Sequence, residues 1–175
     1  VKELTPELFE IYGRVALTGN PEKFEIDFKP LGKQLSISVY SPEKGYFVAV
    51  FDDVTERKRN EDKLRYYAVH DQLTGLLNRR GLEENLSRTI AKAKRGGVSS
   101  LLYTDLDNFK DVNDTIGHSA GDEVLMILAD LLKAALRTED IVFRLGGDEF
   151  AVLLDGIDGG DALLAAERLR AAVEA

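Results

Sequence analysis

Hydrophobic and polar positions alternate through the first third of the chain in a way that is typical of β-strands. Period-two alternation runs through residues 23–28 and 34–40, and a mostly apolar run closed by two aspartates fills residues 45–54. Turn residues with proline and glycine separate the three segments. This combination predicts a three-stranded antiparallel sheet.

A helix is predicted on each side of this sheet. Residues 5–17 have amphipathic spacing, with Thr5 as the expected N-cap and Pro6 at the first helical position. Residues 52–71 are crowded with charged side chains and contain few apolar positions. That pattern predicts a solvated connecting helix and does not support a heptad seam.

From residue 78 onwards the spacing alternates between helical and extended. The order helix, strand, helix, hairpin, helix predicts an α/β layer in which helices cover a sheet. Asn78 is the expected cap of the first helix, and a Gly-Gly turn joins the last two strands. The helices are predicted over residues 78–95, 119–136 and 160–175, and the strands over residues 99–107, 140–145 and 150–154.

The helix over residues 119–136 has the strongest apolar pattern of the three. Such a stripe predicts the face that packs on the sheet. The predicted stripe consists of Val124, Ile127, Leu128, Leu131 and Leu132.

Composition restricts the kinds of site that the chain can contain. There is no cysteine among the 175 residues, which excludes disulfides, thiol catalysis and cysteine metal sites. No apolar run of about 18 residues and no export signal occur in this sequence. We therefore expect a cytoplasmic location, with any membrane anchor of a longer parent lying in segments outside this sequence.

The negative charge is unevenly distributed. The formal net charge is −8, and residues 61–175 hold 14 basic against 21 acidic side chains. A nucleic-acid groove requires clustered positive charge, so we expect no nucleic-acid partner. A phosphate ligand in this acidic half would need a divalent cation to offset repulsion.

Acidic residues follow the apolar strands at two points in this half. Asp105 and Asp107 come directly after one strand, and Asp148 and Glu149 follow the two glycines of the hairpin. Magnesium commonly uses one or two carboxylates plus substrate phosphates, which makes Asp105 and Asp148 candidate ligands. The alternative is that aspartates occur at these turns for local hydrogen bonding.

Other polar residues between these acids have two interpretations each. Lys110 is either a phosphate contact or a solvated loop lysine, and Asn113 and Asp122 either read a guanine edge or serve a turn and a helix N-terminus. His118 has no second histidine at metal-pair spacing, which argues against zinc. The P-loop pattern is absent from the sequence, which argues against that class of NTPase.

Three motifs occur in one order: "DQLTGLLNRRG" (71–81), "DLDNFKDVNDTIGHSAGD" (105–122) and "RLGGDEF" (144–150). Together they closely resemble the GGDEF domain of diguanylate cyclases, over residues 70–175. The resemblance implies a nucleotidyl-cyclase fold related to polymerase palm domains. It also implies that a homodimer joins two GTP molecules, one per subunit, into cyclic di-GMP with release of pyrophosphate.

The same resemblance implies roles for individual residues. Asp105, Asp148 and the Leu106 carbonyl would hold Mg²⁺ or Mn²⁺. Asp148 would also help to activate the ribose 3′-hydroxyl, and Glu149 would assist the metal site. The substrate-binding residues implied are Phe109, Lys110, Asn113, His118, Asp122, Gly146 and Gly147.

A second site is implied by "RTED" (137–140), which resembles the RxxD element of product inhibition in this family. Arg137 and Asp140 would then bind cyclic di-GMP, since arginine is suited to bidentate phosphate contact. The alternative is an ordinary polar loop between a helix and a strand.

The first part of the chain, residues 6–59, resembles the C-terminal half of a PAS sensor domain, with "VTERK" at its exit. The fold expected is thus α/β (α+β): a palm-like GGDEF domain and a partial PAS antiparallel sheet, joined by a helical linker. We expect the PAS part over residues 1–54, the linker over 55–70 and the N-terminal part of the GGDEF domain over 71–175. Both ends are expected to be cut from a longer protein, with open sheet edges and doubtful activity of the fragment alone.

Two non-catalytic functions are alternatives to the cyclase hypothesis. One is a receptor that binds GTP or cyclic di-GMP without turnover, and the other is a dimeric scaffold whose sensor part is the functional one. The intact acids Asp105 and Asp148 and the lysine Lys110 favour the enzyme, because a receptor has no need of metal-binding acids. The sensor ligand is unknown, although residues 6–59 contain neither a histidine for haem nor a cysteine for flavin chemistry.

Overall fold

The structure is a computed structural model that describes residues 6–174, and it folds them into two compact units that meet between Leu64 and Arg65. Thr5, the expected N-cap of the first helix, lies outside the described residues. No helix among residues 6–174 is long and apolar enough to cross a membrane.

The first unit is the predicted three-stranded antiparallel sheet with a helix on one face. The strand order is β1-β2-β3, and Ile37 in the middle strand lies opposite both Phe24 and Phe51. Leu8 and Val15 of the first helix pack on Ile37 and form the centre of the core. Its elements are α1 (Pro6–Thr18), β1 (Glu22–Phe28), a 3₁₀ turn (Lys29–Leu31), β2 (Lys33–Tyr40), β3 (Val48–Asp53) and the first part of α2 (Thr55–Val69).

The second unit has a three-stranded antiparallel sheet in the order β4-β6-β5, with apolar cores on both faces. The central strand β6 supplies Phe150 to the core that α5 and α6 cover, and Ala151 to the core that α3 covers. Its elements are α3 (Arg79–Ala93), β4 (Ser99–Thr104), α4 (Phe109–Ile116), α5 (His118–Ala135), β5 (Ile141–Gly146), β6 (Glu149–Asp155) and α6 (Gly159–Glu174). This mixed α/β architecture is the predicted fold class.

The packing face of α5 matches the predicted stripe only in part: Leu128 and Leu132 are buried as predicted, but the other three residues are not. Ile127 is 61% exposed, and Val124 and Leu131 are about 40% exposed. Apolar residues occupy adjacent positions along this helix, so two overlapping stripes fit helical spacing. The structure buries the one that includes small residues, because these allow close approach to the neighbouring elements. The buried residues are Gly121, Leu125, Leu128, Ala129 and Leu132.

Helix α4 was not predicted from the sequence. Its eight residues follow Asn108, which adopts the left-handed conformation at φ 59° and turns the chain away from β4. Phe109 at its start packs against the larger core. An eight-residue segment with three apolar positions, Phe109, Val112 and Ile116, is too short for its periodicity to predict a helix.

Candidate active site

The pairing of β4 with β6 places the acids at one edge of the sheet. The last residue pair on this ladder is Thr104 with Phe150. Asp105 is the next residue on one strand, and Glu149 is the preceding residue on the other. Because side chains alternate along a strand, Glu149 of β6 projects to the face that α3 covers, opposite to Phe150. The ladder thus ends with the backbone of Asp105 next to that of Glu149, the first residue of β6 after the hairpin turn.

The hairpin turn consists of glycines in conformations that other residues rarely adopt. Gly146 has φ 142° and Gly147 has φ 55°, and the ladder shifts register between Arg144 and Gly146. A Cβ is disfavoured in both conformations, which accounts for two glycines in succession. Asp148 follows in the turn, and it is half-buried.

The side chain of Arg144 fixes the backbone of this turn by hydrogen bonds. Its Nε and Nη2 donate to the carbonyl of Gly147 at 3.0 and 2.8 Å, and its Nη1 donates to Asp71 Oδ1 at 2.9 Å. The side chains of Arg144 and Asp71 are only 10% and 22% exposed. Three charge-assisted hydrogen bonds in a partly desolvated place hold the backbone beside Asp148.

Asp71 is itself held in an ionised state. Burial raises the pKa of its carboxyl, but hydrogen bonds from Thr74 and Arg144 outweigh burial, and the pKa of Asp71 lies below its ordinary value. The Thr74 hydroxyl and amide donate to Asp71 at 2.7 and 2.9 Å. Arg144 also donates its backbone N–H to Leu77 at 2.9 Å, so the segment after Asp71 lies along the edge of β5.

Glu149 has two further partners on the α3 face. Arg79 Nη2 donates to Glu149 Oε2 at 3.3 Å. The pKa of the Tyr103 hydroxyl is raised by partial desolvation and by its hydrogen bond with Glu149. Asp71, Arg79, Tyr103 and Arg144 had no role in the sequence analysis, although three of them stand inside the motifs quoted there.

The predicted guanine-reading residues belong to the paired helices α4 and α5. Asn113 fits against Gly121, where an added Cβ would overlap the Asn113 side-chain oxygen and lie 3.2 Å from the ring of Phe109. Gly121 is buried, so this close contact fixes the two helices to each other. The structure thus brings Phe109 and Asn113 together and gives a reason for the glycine.

The remaining predicted site residues lie at the surface. Lys110 is exposed on α4, and His118 and Asp122 are exposed in the first turns of α5. Within residues 6–174 the structure records no ion pair or hydrogen bond for the side chains of Asp105, Lys110 or Asp148. These three side chains are thus available to an added ligand.

The donors at this edge suit a hard divalent cation. They are the carboxylates of Asp105, Asp148 and Glu149 and the carbonyl of Leu106, all oxygen ligands, which Mg²⁺ and Mn²⁺ prefer. In the described part of the chain no three acidic or histidine side chains are grouped closely enough to hold a metal ion.

The predicted inhibitory residues form a closed turn beside a cleft. Arg137 N–H donates to Asp140 Oδ2 at 3.1 Å, and Asp140 N–H donates to the Arg137 carbonyl at 3.1 Å. The other carboxylate oxygen of Asp140, Oδ1, is buried and has no partner among the described residues. A cleft of about 260 Å³ is lined by both residues and by Arg168 of α6, which carried no signal in the sequence.

The opposite side of the same turn borders a second cleft, of about 230 Å³. Arg137 and Asp140 line it too, together with Lys133 and His70. His70 stacks on Tyr66 with ring centroids 3.7 Å apart, so one face of its imidazole is covered. The RxxD turn therefore lines two clefts.

Comparison with known proteins identifies the second unit. The family model for "Diguanylate cyclase, GGDEF domain" matches residues 68–175. Diguanylate cyclase DgcM of Escherichia coli is 44% identical over 130 residues, which are 72% of this chain and 31% of DgcM. Diguanylate cyclase TpbB of Pseudomonas aeruginosa is 37% identical over 168 residues, 93% of this chain and 39% of TpbB. The chain spans about a third of the length of these relatives.

Solved structures give the same result. The GGDEF domain of TpbB from Pseudomonas aeruginosa is similar with a TM-score of 0.58 and 45% identity, covering 61% of this chain and 63% of that one. The coiled coil and GGDEF domain of DgcB from Caulobacter crescentus, in complex with c-di-GMP, is similar with a TM-score of 0.59 and 31% identity, covering 65% and 61%. On these grounds the chain belongs to the GGDEF family of diguanylate cyclase domains.

Proposed function

We propose that the second unit is a catalytic domain that condenses two molecules of GTP into cyclic di-GMP and releases two of pyrophosphate. The observation that supports this proposal is the antiparallel pairing of β4 with β6, whose ladder ends where Asp105 follows one strand and the acids of the Gly-Gly hairpin precede the other. A receptor has no use for such an edge. The similarity to named diguanylate cyclases supports the same reaction.

The acids at the sheet edge are assigned to the metal and the attacking group. Asp105, Asp148 and the Leu106 carbonyl would hold Mg²⁺ or Mn²⁺, with Glu149 in support. When bound, the cation neutralises charge on the triphosphate and orients an in-line displacement. Asp148 accepts the proton of the ribose 3′-hydroxyl as that oxygen attacks the α-phosphorus of the second GTP, and pyrophosphate leaves.

The exposed residues of α4 and α5 are assigned to the nucleotide. Lys110 and the backbone amides around Phe109 would bind phosphate, and Gly146 and Gly147 would let the nucleotide approach the turn without a side chain in the way. Asn113 and Asp122 offer an amide and a carboxylate to the guanine edge, whose N1–H and N2–H₂ groups are donors. His118 lies at the start of α5 and would contact the same nucleotide.

Catalysis is assigned to a homodimer. Each catalytic unit has one edge of acids and one pair of nucleotide-binding helices, whereas the product contains two guanosines. Two units must therefore face each other so that each 3′-hydroxyl reaches the partner's α-phosphorus. Analytical ultracentrifugation of the GTP-bound protein tests this, and a strictly monomeric active species contradicts it.

The first unit is assigned to a PAS-type sensor that acts through α2. Thr55, the first residue of α2, donates its hydroxyl to Asp53 at 2.6 Å and accepts the backbone N–H of Gln34 at 2.9 Å. Arg57 and Lys58, also in the first turn of α2, form salt bridges with Glu25 of β1. These contacts tie the start of α2 to the sheet, so a change in the sheet would alter the position of that helix.

Synthesis is tested by incubating the 175-residue chain, and the longest native form of the protein, with GTP and Mg²⁺ and resolving the products by chromatography. Cyclic di-GMP with pyrophosphate supports the proposal. Asp148→Ala should abolish formation of the product while leaving the circular dichroism spectrum unchanged, because a turn residue contributes little to the core. Unchanged turnover in that variant would remove Asp148 from the mechanism, and nucleotide binding without product would assign the chain to the receptor class.

Product inhibition is assigned to Arg137 and Asp140. The cleft beside them contains a second arginine, Arg168, so two guanidinium groups are available to the phosphates of the product. Arg137→Ala should relieve inhibition by added cyclic di-GMP and leave the initial rate nearly unchanged. Titration of both proteins with cyclic di-GMP measures this, and persistent inhibition in the variant would place the inhibitory site elsewhere.

A further inference from the structure

We propose that the open edge of β3 is an interaction surface for a second copy of this chain, whose own β3 pairs with it antiparallel about a two-fold axis between the two copies of Phe51. The inference goes beyond the proposed function, because it concerns the sheet of the first unit and requires neither nucleotide nor metal. In that sheet β2 is central, and within residues 6–174 no strand lies along the outer side of β3. An open edge offers backbone donors and acceptors to another strand.

The hydrogen-bond pattern shows which residues of β3 face the open side. Val54 donates its N–H to the Gln34 carbonyl at 2.9 Å, in register with the ladder of β2 and β3. Such bonded positions occur at every second residue of an antiparallel strand, so the odd-numbered residues of β3 direct their N–H and C=O groups away from β2. These residues are Ala49, Phe51 and Asp53.

Self-pairing of this edge has one register that uses all of these groups. A closed dimer of identical chains has a two-fold axis, so every contact occurs twice with the residues exchanged. With Phe51 opposite Phe51 of the second copy, Ala49 lies opposite Asp53 and Asp53 opposite Ala49. Each of these pairs can exchange two backbone hydrogen bonds. No aspartate of β3 lies directly opposite another aspartate, so the register is free of opposed like charges.

The two edge strands of this sheet differ in their side chains. Natural proteins commonly place charged residues on an edge strand, which keeps it from pairing with another chain. Charged residues occupy four of the seven positions of β1, namely Glu22, Lys23, Glu25 and Asp27. The first four residues of β3 are uncharged, and Val50 and Phe51 are 52% and 54% exposed. The sequence thus protects one edge of the sheet and leaves the other apolar.

The apolar surface near this edge suits a weak dimer. The large apolar side chains exposed between residues 40 and 51 are Tyr40, Tyr46, Phe47, Val48, Val50 and Phe51. An aromatic side chain can bury roughly 150–250 Å², so these half-exposed residues offer on the order of 500 Å² per copy. Standard interfaces bury about 800 Å² per partner, so we expect dimers at micromolar concentration. The strand β4 also has an open edge, but it exposes two large apolar side chains, Leu101 and Tyr103, which makes β3 the favoured edge.

The test uses the two-fold axis. Phe51→Lys and Phe51→Glu each remove an apolar contact and place two like charges opposite each other in the dimer. Sedimentation equilibrium of the 175-residue chain, without nucleotide or metal, should show self-association that is about 10–100-fold weaker in each variant. An equimolar mixture of the two variants should regain dimers, because lysine then lies opposite glutamate. Leu31→Lys is the matched control, since Leu31 is similarly exposed but lies in the 3₁₀ turn.

Three results would overturn the inference: a monomer at about 100 µM protein, unweakened dimers in both Phe51 variants, or a mixture that stays monomeric. Dimers that neither variant weakens would place the contact on another surface, such as the edge of β4. None of these results bears on the cyclase proposal, whose dimer is measured with GTP bound.

A measurement on the unaltered protein keeps the inference testable if the variants fail to fold. Amide exchange followed by nuclear magnetic resonance should slow at Phe51 as the protein concentration rises, because its N–H then bonds to the second copy. The N–H of Val50 bonds to β2 and should be protected at every concentration. Exchange at Phe51 that does not depend on concentration would overturn the inference.

Discussion

Each unit of the molecule contains an arginine–carboxylate pair that fixes local geometry, and the two pairs differ in burial more than in distance. In the first unit Arg14 binds both oxygens of Glu22 at 2.7 Å, with side chains 54% and 33% exposed. In the second unit Arg144 binds one oxygen of Asp71 at 2.9 Å, with side chains 10% and 22% exposed. The longer contact is the more consequential one, because water competes with the exposed pair and hardly reaches the other.

The pairs also differ in what else they contact. Arg14 joins a helix to the first strand of a sheet and has no further side-chain partner among the described residues. Arg144 in addition binds the Gly147 carbonyl twice. Its removal would leave the Gly147 carbonyl without these donors and the Asp71 carboxylate with only the hydrogen bonds from Thr74, in a partly desolvated place, and such loss costs more than the missing bond. The comparison teaches that the environment of an ion pair, and not its distance, decides its contribution.

The largest effect is expected from Arg144→Ala. The variant should lose about 2–3 kcal/mol of local stability in β5 and β6, because a shielded charge loses its partner. It should also lose turnover, because the turn that carries Asp148 is no longer fixed. Hydrogen exchange with mass spectrometry measures protection in these strands separately from the first unit.

Arg144→Lys is the matched variant for this prediction, since lysine keeps the charge but not the planar fork that reaches both partners. We expect it to recover part of the stability and little of the activity. Full protection of the hairpin in Arg144→Ala would contradict the view that burial makes this pair important.

A smaller effect is expected from the pH dependence of Asp71. Its folded-state pKa is depressed, so its stabilising contribution is complete above the unfolded pKa of about 3.9 and is lost as the pH falls through the folded value. Asp71→Asn should therefore show weaker protection of β5 at neutral pH and a flatter decline below about pH 4. Exchange experiments at several pH values measure both, and parallel curves for the two proteins would show that Asp71 does not contribute.

The smallest effect is expected from Arg14→Ala. Arg14 and Glu22 shift each other's pKa in the directions expected of an ion pair, that of Arg14 upwards and that of Glu22 downwards, but both groups are open to solvent. The unfolding midpoint of the first unit should not change measurably, at low or at moderate salt. A clear drop in the midpoint, followed by circular dichroism during urea unfolding, would show that close geometry outweighs exposure.

The sequence was sufficient to predict the elements because these depend on local spacing. The first sheet, the strands and hairpin of the second, the Asn78 cap and the position of the Gly-Gly turn follow from periodicity and turn chemistry, whereas the pairing of β4 with β6 was not predicted. Helix α4 was not predicted, and the buried face of α5 was predicted only in part, at Leu128 and Leu132. The buried face of α5 includes Gly121 and Ala129, which allow close packing because they are small. A pattern of hydrophobic positions gives no information on the size of a side chain.

The partners of the site residues were not predictable in the same way. Asp71 and Arg144 are separated by 73 positions, and Arg79 and Glu149 by 70. No local spacing links residues that far apart, since only the folded sheet brings them together. Motif resemblance pointed to the segments that contain three of these four residues, but it did not show which side chains contact each other.

The two hydrogen bonds from Arg144 to the Gly147 carbonyl determine the direction of the next backbone amide, the N–H of Asp148. The peptide unit between Gly147 and Asp148 is a rigid trans plane, in which C=O and N–H point in opposite directions. With the carbonyl directed at the guanidinium, the N–H of Asp148 is directed away from Arg144. Asp148 thus offers a backbone N–H donor and a carboxylate acceptor at the same turn. Arg144 sets the direction of that N–H without contacting it.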